Sequence, residues 1–164
     1  MKFDRYLRKD EAQAKKMMEA SLDYTPDLMP GNAGKSMTDF FEESFILEPY
    51  KGIFFALKSD NGEVKGLMAV SKRPNKNGVD DWHIDALFAH REEQADEHAG
   101  FMVEQFCALV HEAREISADI HPEAEKARAF WESIGFRADL NKPLSSNADD
   151  EVLVSYWKTI NEQV

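Results

Sequence analysis

The stretch Ala127-Arg128-Ala129-Phe130-Trp131-Glu132-Ser133-Ile134-Gly135-Phe136 holds a helix end and a strand start side by side. Ala124, Ala127, Phe130, Trp131 and Ile134 recur at helical spacing and make one apolar face. Pro122 suits the first turn of that helix, where a missing N–H costs nothing. Gly135 stands where a helix C-cap turns left-handed, and Phe136 to Leu140 then reads as a strand.

Working outward toward the N-terminus, the apolar residues of Ile116 to Ile120 alternate as in a strand. Phe101, Met102, Phe106, Leu109, Val110 and Ala113 fit a long amphipathic helix behind the polar run Arg91 to His98. Trp82 to Ala89 reads as a strand that is apolar on the side of Ile84, Ala86 and Phe88. Gly52 to Lys58 and Val64 to Ser71 flank Asn61-Gly62, and Pro74 to Gly78 makes a second turn, so three antiparallel strands follow one another. Before them, Ser36 and Asp39 form a capping box for a helix carrying Phe40, Phe41 and Phe45 that stops before Pro49. Pro26, Pro30, Gly31, Asn32 and Gly34 break regular structure from Asp23 to Lys35. A helix from near Asp10 presents Ala14, Met17, Met18 and Leu22, and Phe3 to Leu7 reads as an edge strand. Toward the C-terminus, Val152 to Ile160 is the last strand. The order is strand, two helices, three strands, helix, strand, helix, two strands. No repeat, low-complexity tract or linker divides it, so residues 1–164 are expected to form one domain.

Composition narrows the function. The chain has 164 residues, 43% of them hydrophobic, enough for one sizeable core and few for two. Thirty-one acidic against 20 basic residues give a net charge of -11, which repels phosphate backbones and anionic membranes, so neither nucleic acid nor membrane is an expected partner. The single cysteine, Cys107, makes no internal disulfide and supplies no thiolate zinc cluster. Met1 to Glu11 is charged and lacks the apolar core of a signal peptide, and no apolar run approaches the roughly 20 residues of a membrane span. The expectation is a cytoplasmic protein.

This element order, together with Ala127, Phe130, Trp131, Glu132, Ile134, Gly135 and Phe136, resembles the GNAT superfamily of acyl-CoA N-acyltransferases. The segment AxxFWESIGF is close to that family's AxxFYxxxGF, and the likeness runs over nearly the whole chain. It implies an α+β fold with αβα layers around a central mixed, mostly antiparallel sheet of about six to seven strands. It also implies acetyl-CoA as acyl donor. The family's second signature, Q/R-x-x-G-x-G/A, uses main-chain N–H groups at a helix start to receive the pyrophosphate. Counted without gaps from Leu87, Phe88 and Ala89, it falls on Gln94, Ala95, Asp96, Glu97, His98 and Ala99, where Gln94 and Ala99 match and Glu97 replaces the central glycine. The register that puts Gly100 on that glycine leaves Glu97 and Met102 at the outer positions. Glu92, Glu93 and Asp96 add negative charge where an anion should sit, although acids in a first helical turn also stabilise its dipole. By resemblance, main-chain groups of Leu87 and Ala89 pair with the pantetheine arm, and Gln94, Ala95, Glu97, His98, Ala99 and Gly100 take the pyrophosphate.

Acyl transfer to an amine needs an ammonium deprotonated, a carbonyl polarised and a thiolate stabilised or protonated. The family's base is often a carboxylate on the fourth strand; its place here is His83, with Asp85 two residues on, on the same face. A neutral imidazole with a pKa of about 6.5 can take the proton, and Asp85 can orient it or attract a cationic amine. A His and an Asp on one strand also occur as ordinary hydrogen-bonded residues. The tyrosine that serves many members as acid is matched by Trp131, whose indole donates a hydrogen bond without acting as an acid. Tyr156 is a stand-in by type alone, and Ala124 replaces the asparagine that often precedes the AxxF piece.

The histidines His83, His90, His98, His111 and His121 show no dense ligand spacing, so no metal is expected. Gly31 to Lys35 has the wrong spacing for a phosphate-binding loop. Two functions follow. One is a GNAT-like N-acetyltransferase acting on a primary amine of a small molecule or peptide. The other is a catalytically lapsed GNAT-fold binding or regulatory protein with weak or no CoA binding. Charge suits a cationic acceptor, such as a polyamine, an aminoglycoside or a basic peptide terminus, and the oligomeric state stays open, a homodimer included. Without disulfide or metal, unfolding should be one cooperative transition whose midpoint is unmoved by reductant or chelator; a sharp drop with chelator in a thermal scan would return the histidines to the list of ligands.

Overall fold

The computed structural model describes residues 1–25, 52–74, 80–92, 94–138, 145–146 and 152–160. The helix expected from Ser36 and the turn after Pro74 lie outside them. In chain order the elements are β1 (Lys2–Arg5), a 3-10 turn (Arg8–Asp10), α1 (Glu11–Met18), β2 (Ser21–Asp23), β3 (Ile53–Lys58), β4 (Val64–Pro74), β5 (Asp80–His90), α2 (Ala95–Leu109), β6 (Glu115–Ile120), α3 (Glu125–Ser133), β7 (Arg137–Ala138), β8 (Ser145–Ser146) and β9 (Val152–Thr159).

The sheet runs β1-β3-β4-β5-β6-β9-β7, with β2 paired on β5 and β8 on β9. Among the described residues only β5 and β6 pair in parallel, so the sheet is mixed and mostly antiparallel. The strands beyond the expected six to seven, β2 and β8, are three and two residues long. One face packs Met68, Leu87, Ile116 and Ile120 against Met102, Val103 and Phe106 of α2 and Phe130 and Trp131 of α3. The other packs Ala56, Leu67, Ala69 and Phe88 against Ala14, Met17 and Met18 of α1. Helix, sheet and helix thus form three layers of an α+β fold.

Four local expectations are corrected. Leu22 lies in β2, because α1 ends at Met18. Pro122 precedes α3 rather than opening it; Ala124 is the N-cap. Helix α2 starts at Ala95 and ends at Leu109, so residues 95–100 before Phe101 are already helical and Ala113 lies past the end. Finally, Ile84 faces the α2 side while Ala86 and Phe88 face the α1 side. The cause is a β-bulge: Ala69 pairs with Ala86 and Val70 with Ile84, which leaves Asp85 without an opposite residue in β4.

Two glycines hold left-handed backbone as their sequence settings require. Gly62 closes the β3–β4 hairpin at φ 82°, and Gly135 ends α3 at φ 95°. Gly66 is needed for space instead, since a Cβ there would collide with Met102 Cε and stand 3.1 Å from the Phe88 carbonyl oxygen. Met102 is fully buried and cannot swing out freely. Gly66→Ala should therefore lower stability by about 1–3 kcal/mol in denaturant titration; a change within 0.3 kcal/mol would mean that α2 has room to move away from β4.

Candidate active site

The bulge divides β5 into two halves with different neighbours. Trp82, His83 and Ile84 pair with β6, whereas Phe88, Ala89 and His90 pair with β2. His83 and Asp85 sit at this fork, and β6 brings Ser117 and Asp119 to the same place because Ser117 is the pairing partner of His83.

The side chain of His83 is 9% exposed. Its Nδ1 lies 2.7 Å from Ser117 Oγ, and its Nε2 lies 3.5 Å from Asp119 Oδ2 and 3.9 Å from Asp85 Oδ1. Asp119 also accepts a hydrogen bond from Ser155 Oγ at 2.7 Å, and Arg73 approaches Asp85 Oδ1 at 3.4 Å. Burial pushes the pKa of His83 below its ordinary value, and this outweighs the opposing attraction of Asp119 and Asp85. The ring is thus held neutral at neutral pH with two carboxylates beside one nitrogen. Ser117, Asp119 and Ser155 went unread in the sequence, although Ser117 and Asp119 are the polar members of the alternation in Ile116–Ile120 and therefore share one face.

No protein-family model matches the chain, and no curated protein does. Solved structures match it along its length. Aminoglycoside 6'-acetyltransferase type Ii aligns over 98% of both chains at 17% identity and a TM-score of 0.66. The ribosomal-protein-S18-alanine N-acetyltransferase of Escherichia coli covers 99% of this chain and 97% of its own at 12% identity and 0.62. The NatB acetyltransferase complex bound to CoA covers 98% and 100% at 14% identity and 0.66. The fold is that of the GNAT acetyltransferases.

Placed in the GNAT fold, the positions expected to meet a cofactor divide into two groups. Gln94 is the N-cap of α2 and makes no side-chain cap bond. Ala95, Glu97, His98, Ala99 and Gly100 are helical, and the first-turn donors are partly spent within the chain: the Ala95 N–H donates to the Glu92 carbonyl at 3.0 Å and the His98 N–H to the Gln94 carbonyl at 2.9 Å. Ala95 and Ala99 turn their side chains into the core. Glu97, His98 and Gly100 line a cleft of about 890 Å³ that Lys158 and Ile134 border from the far side. His98 Nδ1 stands 3.4 Å from Glu92, whose carboxylate also meets His90 Nδ1 and Lys65 Nζ, both at 3.6 Å.

The second group is Leu87 and Ala89, both fully buried. The Leu87 carbonyl accepts the Tyr24 N–H at 2.9 Å, and Ala89 is paired with Leu22. Trp131, at the tyrosine position of the GNAT pattern, donates its indole N–H to the Tyr24 carbonyl. Tyr156 is buried, its hydroxyl 3.3 Å from both Glu132 Oε1 and Arg128 Nε. As they stand, these residues leave the cleft at α2 open and the β5 edge at Leu87 and Ala89 covered by residues 22–24.

Because His83 has a lowered folded pKa, the unfolded chain binds its proton more readily than the native site does. The contribution of this group is complete above the unfolded value of about 6.5 and is lost as pH falls below it toward the folded value. The melting temperature should therefore drop more steeply between about pH 7 and pH 5 in the parent than in His83→Asn; parallel curves would show that His83 titrates alike in both states.

Proposed function

We propose that the protein is a GNAT-like N-acyltransferase that takes an acetyl or related acyl group from a CoA thioester and transfers it to a primary amine. The observation that carries this reading is the neutral, buried His83 at the β5 fork, with Asp119 and Asp85 beside Nε2. A bound thioester would supply the acyl carbon; the steps argued from this chain's residues concern the amine.

At neutral pH an amine arrives as its ammonium, and the two carboxylates attract it to Nε2. For Nε2 to take a proton, Nδ1 must carry the ring hydrogen and donate it to Ser117 Oγ, which the 2.7 Å separation allows. Proton transfer to Nε2 frees the amine lone pair. The imidazolium so formed lies against Asp119, whose own position is held by the Ser155 hydroxyl. A lowered pKa makes His83 a weak base in the free protein, and the incoming substrate must displace water without removing both carboxylates from reach. The acceptor class that suits this arrangement is a cationic amine. Lys158 in the cleft beside α2 is the cation suited to a phosphate group of the donor.

The second reading, a lapsed GNAT-fold binding or regulatory protein, is favoured by the covering of Ala89 by Leu22 of β2 and of the Leu87 carbonyl by Tyr24, and by Asp96 and Glu97 in the first turn of α2. Calorimetric titration with acetyl-CoA and free CoA separates the two. Binding is expected, together with acetyl transfer to a polyamine or basic peptide; no heat at millimolar ligand would leave the second reading. In the enzyme, His83→Ala should lower kcat/KM by about 10²-fold or more and abolish the acidic limb of its pH profile. An unchanged profile would assign proton removal to another group.

A further inference from the structure

Beyond the bulge, the edge of β5 that turns away from β6 is covered by the residues that follow α1. Tyr24 N–H donates to the Leu87 carbonyl at 2.9 Å, and Arg91 N–H donates to the Ala20 carbonyl at 2.6 Å. Leu22 and Ala89 face each other between these two bonds, at the position where an antiparallel ladder exchanges a further pair. The covering is also tied from its other side. Trp131 donates its indole N–H to the Tyr24 carbonyl, and the Tyr24 hydroxyl donates to Asp96 Oδ1 at 2.6 Å. The Tyr24 ring packs on Phe130 with centroids 4.4 Å apart.

We propose that residues 20–24 are a displaceable strap lying in the groove that the extended arm of a thioester donor would use, so that donor binding requires the strap to leave. This rests on the thioester reading above. Apart from Arg91, which ties Ala20 and Ser21 just past the end of β5, these tethers belong to elements that the donor would touch: β5 by its Leu87 and Ala89 edge, α2 by Asp96 in its first turn, α3 by Trp131. The strap imitates such an arm, being an extended chain that satisfies the β5 edge and ends at the α2 N-terminus. It is also built to come away as a unit. The strand is three residues long, bounded before by Ser21 Oγ bonding the Met18 carbonyl at 3.1 Å. It is bounded after by an Asx turn in which Asp23 Oδ1 accepts from Thr25 N–H and Thr25 Oγ1. Local opening of so short a segment need not unfold the domain.

A closed strap lowers apparent affinity by the fraction of molecules that are open. Tyr24→Phe keeps the ring on Phe130 and removes only the bond to Asp96, so it should tighten CoA binding by about tenfold, equivalent to about 1.4 kcal/mol. Pantetheine, which lacks the phosphates, should gain by the same factor. In the parent protein, amide exchange followed by NMR should show Leu22 and Tyr24 losing protection when CoA is added. Three results would overturn the strap. CoA binding with Leu22 and Tyr24 still protected, and equal affinity in parent and variant, would leave the thioester reading standing without it. A gain for CoA and none for pantetheine would trace the effect to charge at Asp96. Millimolar CoA binding neither protein, while exchange shows Tyr24→Phe to be open, would remove the thioester reading and the gating role together.

Discussion

One extra residue in β5 organises the centre of the molecule. Had β5 alternated without interruption, Ile84, Ala86 and Phe88 would lie on one face and the α2 layer would lose Leu87 and Ala89. Skipping Asp85 in the pairing with β4 reverses the faces midway, so that Ile84, Leu87 and Ala89 all reach the α2 side while Ala86 and Phe88 serve the α1 side. Bulges also increase local twist and bend their strand. Here the bend coincides with the change of partner from β6 to β2, and the fork it opens is where His83, Asp85, Ser117 and Asp119 meet.

The electrostatics of that fork follow from two opposing effects. Burial penalises the imidazolium, and the carboxylates reward it; burial wins, which leaves a neutral ring able to accept a proton. Polar partners make the burial tolerable, because Ser117 satisfies Nδ1 and Ser155 holds Asp119. At the other end of β5 a different balance holds. Acids at the start of α2 stabilise the helix dipole, and Glu92 lies 3.6 Å from Lys65 Nζ, so one charge of the acidic run is paired within the chain itself.

Helix α3 links these regions. Its Gly135 cap turns the chain sharply, placing Phe136 against Trp131 with ring centroids 4.9 Å apart. Trp131 is fully buried, and its one N–H is directed at the Tyr24 carbonyl. The same side chain therefore packs the core and holds residues 20–24 on β5. An indole N–H at this place is a fixed donor that does not give up its proton.

What the sequence by itself determined were the features written in local spacing. The α3-to-β7 junction, the Gly62 hairpin, the long helix after β5 and the alternation of β6 need only neighbours a few residues apart, and the resemblance read from them reached the GNAT fold. His83 and Asp85 were legible as a pair for the same reason. Tertiary structure alone decided the bulge at Asp85, because register depends on which strand lies alongside, and a one-residue slip carries no mark in composition. It alone brought Ser117 to His83 across 34 residues and Tyr24 to Trp131 across 107. Ser21–Asp23 could not be read as a strand, being three residues long and run into a Pro- and Gly-rich segment. Their extended form comes from an open β5 edge whose N–H and C=O groups, once buried, must find partners.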